Sequence, residues 1–207
     1  MKTLKDYFHN VMELDSDCYV ADFTEYTKNS QDKRGVEISL VPFDEIPKQL
    51  PKDLPDDFNY FHLKKSPKGD IKYIAINLEE NTQFTKGDRD NCECLFESLT
   101  KYKKPWLMFL EMKYCAEKNT DKYINKACIQ MKETYEKLEK ESLLISGTRN
   151  VYFVYSVPRN RKEPFGAFDT TQSDVLEFIE NNKIHCLGYN TLLIATASHI
   201  RPIKKSI

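Results

Sequence analysis

The stretch Trp106-Leu107-Met108-Phe109-Leu110-Glu111-Met112-Lys113 decides the fold of this chain. Its five consecutive apolar residues predict a β-strand that is buried inside a sheet. Side chains on a strand alternate between the two faces, so Glu111 and Lys113 are predicted to share a face, about 6–7 Å apart. A carboxylate and an amine at the end of a core strand are costly unless they are paired or bind a ligand. This pair therefore marks the candidate functional site.

The neighbours of this strand follow from the apolar patterns around it. Alternating or continuous apolar residues predict strands, and apolar spacings of three and four predict helices. In chain order the predicted elements are strands at 70–78, 92–99 and 106–114, a helix at 122–144, a strand at 151–157, a helix at 173–181 and a strand at 190–196. Short connections predict that the first three strands form an antiparallel meander. The predicted fold class is α/β, a mixed sheet in the order β-β-β-α-β-α-β with helices packed on it.

The first part of the chain is predicted to be an N-terminal extension over residues 1–65, before a core domain at 66–207. Five apolar residues recur at helical spacing and predict an amphipathic helix over 2–14: Leu4, Tyr7, Phe8, Val11 and Met12. Alternation at 36–41 predicts a strand, and the prolines that follow it favour an irregular surface connection. The role of the extension is open: its helix is a candidate contact for a protein partner or for a second copy of the chain, which would form a homodimer.

Composition sets the broad class of protein. The chain has 207 residues, enough for one sizeable domain with a small appendage. The formal net charge is −1, from 31 basic and 32 acidic residues, so the overall charge does not indicate a nucleic-acid-binding protein. Binding of nucleic acid would therefore require local basic patches, for which the candidates are the cluster at 159–162 and the basic residues of the C-terminus, Arg201, Lys204 and Lys205. Solvated surface charge is the alternative reading of both.

Cysteine usage and hydropathy bear on the cellular compartment. No signal peptide is visible, and no apolar stretch approaches the roughly 18–20 residues that a membrane span needs. We therefore expect a cytoplasmic protein without membrane contact, whose six cysteines are free thiols. Cys92 and Cys94 are predicted to share one face of a strand as small buried hydrophobic residues. A zinc or iron–sulfur site, the alternative for these cysteines, would need ligands from distant segments.

Two further side chains are predicted to lie near Glu111 and Lys113. If the strands at 92–99 and 106–114 pair as a meander, Glu93 lies beside Glu111 on one face of the sheet. On the following helix, Gln130 comes three residues after Ala127, at the edge of the stripe that packs on the sheet. Its amide can hydrogen-bond water or phosphate without adding charge, although an ordinary helix-surface role is the alternative. Two carboxylates and one amine suit metal-assisted phosphodiester hydrolysis.

These residues resemble the motif of the PD-(D/E)XK nuclease-like, or restriction-endonuclease-like, superfamily. That pattern places an acidic residue on the second core strand, Glu/Asp-x-Lys on the third, and often Gln or Lys on the next helix. The matching residues here are Glu93, then Glu111-Met112-Lys113, then Gln130. The order strand-strand-strand-helix-strand matches as well, and the resemblance covers about residues 70–160. The chain departs from the pattern at Glu93, where Asp is usual, and Asp90 or Asp88 is the alternative ligand.

The resemblance implies a function for the site. Glu93 and Glu111, with the backbone carbonyl of Met112, would hold Mg²⁺ or Mn²⁺, and water activated by the cation would attack the phosphorus atom of a nucleic acid, with DNA as the expected substrate. Lys113 would position or deprotonate that water, its pKa lowered by burial and by the cation, or stabilise charge on the phosphate. Gln130 would support the site. The alternative is a catalytically inactive relative that acts as an interaction module.

Overall fold

The computed structural model describes residues 2–46, 50–52, 54–85, 91–100, 104–115, 120–159, 163–164 and 172–203. Two mixed β-sheets account for the strands of this part of the chain. The strands are β1 (Met12–Leu14), β2 (Cys18–Asp22), β3 (Val36–Ser39), β4 (Phe61–Lys65), β5 (Tyr73–Asn77), β6 (Cys94–Ser98), β7 (Trp106–Met112), β8 (Asn150–Ser156), β9 (His185–Gly188), β10 (Thr191–Thr196) and β11 (His199–Pro202). The α-helices are α1 (Leu4–Tyr7), α2 (Thr24–Thr27), α3 (Thr82–Thr85), α4 (Thr120–Lys140) and α5 (Ser173–Asn181), and a 3₁₀ turn spans Phe43–Glu45.

The first sheet has the order β1-β5-β6-β7-β8-β9 and carries the candidate site. Strands β5, β6 and β7 form the predicted antiparallel meander, and β8 pairs parallel to β7 after the crossover through α4. The predicted meander is therefore confirmed, and the parallel pair makes the sheet a mixed one, as predicted. All seven residues of β7 are buried, because α4 covers one face of the sheet and the second sheet covers the other.

The second sheet, in the order β11-β10-β4-β2-β3, differs from the single sheet that the sequence predicted. The strand predicted at 190–196 is present as β10, but it pairs with β4 and β11 in this second sheet. Residues before position 66 supply β1 to the first sheet and β2, β3 and β4 to the second. The apolar residues between the two sheets include Val20 and Leu63 from the N-terminal part of the chain and Met108 and Leu110 from β7.

The N-terminal helix is much shorter than predicted. Thr3 caps α1 by accepting a hydrogen bond from the Asp6 N–H, while the Asp6 carboxylate accepts from the Thr3 N–H, and the helix ends at Tyr7. Asn10 then takes a left-handed backbone conformation with φ 53°, and residues 12–14 form β1, so the helix predicted over 2–14 is wrong beyond its first turn. Phe8 is buried in the core of the protein, so it is not free for the partner contact that was predicted for this segment.

Helix α4 has the buried stripe that the sequence predicted. Ile124, Ala127, Met131, Tyr135 and Leu138 are all buried against the first sheet. The six cysteines are free thiols. Within the described part of the chain, we find no helix with the length and apolar character that crossing a membrane requires.

Candidate functional site

The site lies where β7 ends and β6 begins. Cys94 and Leu110 are opposite each other in the antiparallel pair, so Glu93 and Glu111 come next to one another just beyond it. The Glu93 N–H donates to the Leu110 carbonyl at 3.1 Å, which extends the pairing by one bond. The Glu93 side chain then crosses to β7, where its Oε2 accepts the Met112 N–H at 2.9 Å. Both carboxylates therefore lie in one place, as the sequence predicted.

Lys113 joins the two carboxylates. Its Nζ donates to Glu111 Oε1 in a close ion pair and lies 4.0 Å from Glu93 Oε1. The Glu111 side chain is completely buried, whereas 11% of Glu93 and 22% of Lys113 remain exposed. The Lys113 N–H donates to the Ser156 carbonyl on β8, which fixes the backbone just after β7 ends. The three charged head groups predicted from the sequence thus converge where β7 ends and β6 begins.

Burial and mutual repulsion favour the protonated carboxyl groups. Burial raises the pKa of Glu111 to about 7, although the Lys113 ammonium opposes this shift. Burial, and then the charge of Glu111, raise the pKa of Glu93 well above its ordinary range. For Lys113, burial disfavours the ammonium, but Glu111 and Glu93 outweigh it and raise the pKa. Lys113 is therefore charged at neutral pH in the absence of a cation, the opposite direction from the lowered pKa that a base would need.

Gln130 on α4 faces the same site. It is buried, so the alternative of an ordinary helix-surface residue is wrong. Its Nε2 donates to the Asn91 carbonyl at 3.2 Å, just before β6. Its Oε1 is buried and, among the residues that the structure describes, has no hydrogen-bond partner. Glu111 Oε2 is also buried and has no hydrogen-bond partner in the described part of the chain. The site thus holds two buried acceptor oxygens whose hydrogen bonds the described residues do not supply.

Thr134, one turn beyond Gln130, fastens the start of β6 to α4. Its hydroxyl accepts the Cys92 N–H at 2.8 Å and donates to the Gln130 carbonyl at 2.7 Å. Cys92 consequently packs on the helix side of the sheet, whereas Cys94 packs between the two sheets. The prediction that these cysteines share a face is wrong, because β6 begins only at Cys94 and residue 92 precedes its regular alternation.

We expect Thr134→Val to lower the free energy of unfolding by about 1–3 kcal/mol, because the buried Cys92 N–H would lose its acceptor. The same substitution at Thr148, an exposed residue, is the matched control and should change stability by less than about 0.5 kcal/mol. Urea unfolding followed by circular dichroism measures both. Equal stability of the two variants would show that the Thr134 hydroxyl does not hold β6 to α4.

The site opens into a cleft with a volume of about 1010 Å³. One wall comes from α4 with Gln130 and Tyr123, and the opposite wall comes from the end of β2 and from α2 with Asp22 and Tyr26. Glu93, Glu111 and Lys113 lie between them, and Arg159 contributes from the segment after β8. The cleft therefore joins the predicted core to residues before position 66.

Three further carboxylates of the described cleft lining were not predicted: Asp22, Glu25 and Glu79. Asp22 lies near enough to raise the pKa values of both Glu93 and Glu111. Glu79 Oε2 accepts the Val36 N–H at 2.9 Å, and any side chain at Gly35 would collide with this carboxylate. Glu79 comes directly after the strand predicted at 70–78, just as Glu111 comes directly after the apolar run 106–110, so the same signal would have identified it. No comparable signal marks Asp22.

The donor set of the cleft fits a hard divalent cation in part. Glu93, Glu111 and the carbonyl of Met112 are oxygen donors of the type that Mg²⁺ and Mn²⁺ prefer. The described residues contain no cluster of three His, Cys, Asp or Glu side chains arranged to hold a metal. A cation at this position would therefore keep several of its waters, which is common for Mg²⁺. Glu111 Oε2 and Gln130 Oε1, which have no partner among the described residues, are available to coordinate a cation or to accept hydrogen bonds from its waters.

Some of the predicted residues lie outside this description. The alternative ligands Asp88 and Asp90 fall outside the described residues, as do three residues of the basic cluster, 160–162, and the C-terminal Lys204 and Lys205. Arg159 and Arg201 are described. Arg159 lines the cleft, whereas Arg201 is exposed on β11, with its Nη1 3.3 Å from the Pro202 carbonyl.

Comparison of the chain with family models, with curated proteins and with solved structures finds no match in any of the three.

Proposed function

We propose that the chain is a metal-dependent nuclease of the PD-(D/E)XK type, which hydrolyses phosphodiester bonds of nucleic acid, with DNA as the expected substrate. The observation that carries this proposal is the completely buried Glu111, whose Oε2 has no partner among the described residues and which borders the cleft beside Glu93 and Lys113. The order β5-β6-β7-α4-β8, with Glu93 before the second of these strands and Glu111 near the end of the third, supports the resemblance.

The energetics of Glu111 favour a binding role over a structural one. A buried carboxylate costs several kcal/mol in desolvation, and one ion pair with Lys113 satisfies only one of its two oxygens. An apolar residue of the same size at the end of β7 would pack without this cost. A cation coordinated by Glu111 Oε2 would offset this cost. Buried carboxyl groups with shifted pKa values concentrate at functional sites, which favours a binding role for Glu111.

In the proposed mechanism, Glu93 and Glu111 would hold Mg²⁺ or Mn²⁺ together with the Met112 carbonyl. The bound cation would activate water and reduce the charge on the phosphate. Lys113 would stabilise the negative charge that develops on the phosphate oxygens, because Glu111 and Glu93 raise its pKa and favour the ammonium before a cation binds. Gln130 Oε1 would accept a hydrogen bond from the attacking water and orient it.

The experiment that tests this proposal measures cleavage of labelled DNA and RNA with Mn²⁺, with Mg²⁺ and with a chelator. We expect the wild type to cleave DNA only when a divalent cation is present. Glu93→Gln should lower the rate at least about tenfold, because it removes a charged ligand but keeps the shape of the side chain. Glu136→Gln, the same substitution at an exposed position of α4, should leave the rate unchanged.

Two outcomes decide against the proposal, and a third corrects its substrate. Equal cleavage by the wild type and by Glu93→Gln would identify a contaminating nuclease. A wild type that neither cleaves nucleic acid nor binds Mn²⁺ in calorimetry would support the alternative, a catalytically inactive interaction module. Faster cleavage of RNA than of DNA would correct the substrate while leaving the chemistry in place.

A further inference from the structure

Arg159 stands apart from the other charged residues of the cleft. It follows β8 by three residues, and it is the only cationic side chain besides Lys113 among the described residues that line the cleft. Its Nε and Nη2 both point to one oxygen, Oδ2 of Asp57, at 2.8 and 2.7 Å. Asp57 is not itself among the residues that line the cleft. The guanidinium is thus held by a carboxylate from a neighbouring loop.

The ion pair between Arg159 and Asp57 is weak enough for another anion to replace Asp57. The side chain of Arg159 is 36% exposed and that of Asp57 is 46% exposed, so water screens the attraction between them. Exposed pairs of this kind contribute about 0–1 kcal/mol. A phosphate group presents oxygens in the same geometry as a carboxylate and carries more charge, and the guanidinium fork binds either of them through two N–H groups. A phosphate in the cleft would therefore displace Asp57 at little cost.

The charges of the described cleft lining favour a role for Arg159 in binding an anion. Five carboxylates line the cleft in the part of the chain that the structure describes: Asp22, Glu25, Glu79, Glu93 and Glu111. Lys113 is already committed to Glu111 and Glu93. A polyanionic substrate would meet strong repulsion along the rest of the wall, even with a divalent cation at Glu93 and Glu111. Among the described residues that line the cleft, Arg159 is the remaining positive charge, and it affects the pKa of Tyr26 through space.

We propose that Arg159 binds a phosphate group of the nucleic-acid substrate next to the bond that is cleaved. When the substrate is absent, Asp57 forms an ion pair with the guanidinium of Arg159. This inference rests on the proposed function, because it assigns the phosphate subsite of the same cleft. It predicts opposite effects for the two partners of one ion pair. Removal of Arg159 weakens binding of the substrate, and removal of the Asp57 charge strengthens it.

The test uses the full chain and a fluorescently labelled oligonucleotide. Anisotropy without divalent cations gives Kd, and cleavage with Mn²⁺ gives KM and kcat. We expect Arg159→Ala to raise Kd and KM about tenfold with kcat within about threefold, and to reduce the slope of log Kd against log salt by about one. Asp57→Asn should lower Kd at low salt. Lys140→Ala removes the same charge at an exposed position of α4 outside the cleft lining, and it should leave Kd, KM and kcat unchanged.

The outcomes separate this inference from the proposed function. If Arg159→Ala and Lys140→Ala change Kd equally, the effect is one of overall charge and the phosphate subsite is excluded. If Asp57→Asn weakens binding as Arg159→Ala does, the ion pair supports the local structure and the inference fails. If the wild type binds the oligonucleotide through Arg159 but does not cleave it, the nuclease proposal fails while the anion subsite stands.

Discussion

Replacing Lys113 with methionine is expected to lower the rate of Mn²⁺-dependent cleavage by about a hundredfold to a thousandfold. Methionine fills most of the same volume without the charge, so the loss reports on the ammonium itself. In the absence of a cation, Glu111 and Glu93 raise the pKa of Lys113 and so favour the ammonium at neutral pH. Removal of one group that stabilises the charge of a transition state typically costs a factor of this size. Single-turnover cleavage of labelled DNA measures it.

Two comparisons distinguish this loss from a loss of folding. Lys132→Met on α4 is the matched control, because the Lys132 side chain is 20% exposed, Lys113 is 22% exposed, and each carries a carboxylate partner. Lys132 lies outside the cleft lining, so its substitution should leave cleavage unchanged. Lys113→Met itself should remain folded at pH 6, which is below the pKa of about 7 of Glu111, because a protonated Glu111 carboxyl needs no cationic partner. A rate within twofold of the wild type would remove Lys113 from the mechanism.

The local part of the fold was predictable from the sequence. Apolar continuity alone identifies β7 and β8, and the lengths of the connections identify the meander and the parallel crossover through α4. The helix at 173–181 is found over the predicted residues. These features follow from periodicity and from chain connectivity, which are both properties of short segments.

Sheet membership was not predictable, because it depends on contacts that are distant in sequence. Strand β10 alternates in the same way whether it extends the first sheet or starts a second one, and its partner β4 lies more than 120 residues earlier. Nothing in the pattern of Cys18–Asp22 indicates a strand between two others. The helical spacing at 2–14 was real over its first turn, but Asn10 in the left-handed region redirected the chain into β1.

In the candidate site, too, the features set by local sequence were predictable and those set by distant contacts were not. The convergence of Glu93, Glu111 and Lys113 follows from the i, i+2 rule and from antiparallel pairing, both of which the sequence contains. Asp22 enters the cleft only because the second sheet packs on the first. The direction of the Lys113 shift depends on the distance from its Nζ to two buried carboxylates, and alternation carries no information about that distance.

The free energy of unfolding without divalent cations is expected to fall by about 3 kcal/mol through Glu111 as the pH rises from about 4.5 to above 7. The pKa of Glu111 is about 7 in the folded protein and near 4.5 in the unfolded chain, so the folded state binds this proton more tightly. The stabilisation is fully present below pH 4.5, and it is lost as the pH rises through 7. Glu111→Gln has no such proton to lose, so its stability should depend less steeply on pH.

Divalent cations should reverse this trend, because a cation bound by Glu111 and Glu93 must displace their protons. Mn²⁺ is therefore expected to stabilise the wild type more at pH 8 than at pH 5, and to leave Glu111→Gln nearly unchanged. Urea unfolding of the wild type, Glu111→Gln and Glu136→Gln, at both pH values with and without Mn²⁺, measures the two effects together. The Glu136→Gln control should follow the wild type throughout. If the wild type and Glu111→Gln share one pH dependence and one response to Mn²⁺, then Glu111 is neither the buried titrating group nor a cation ligand.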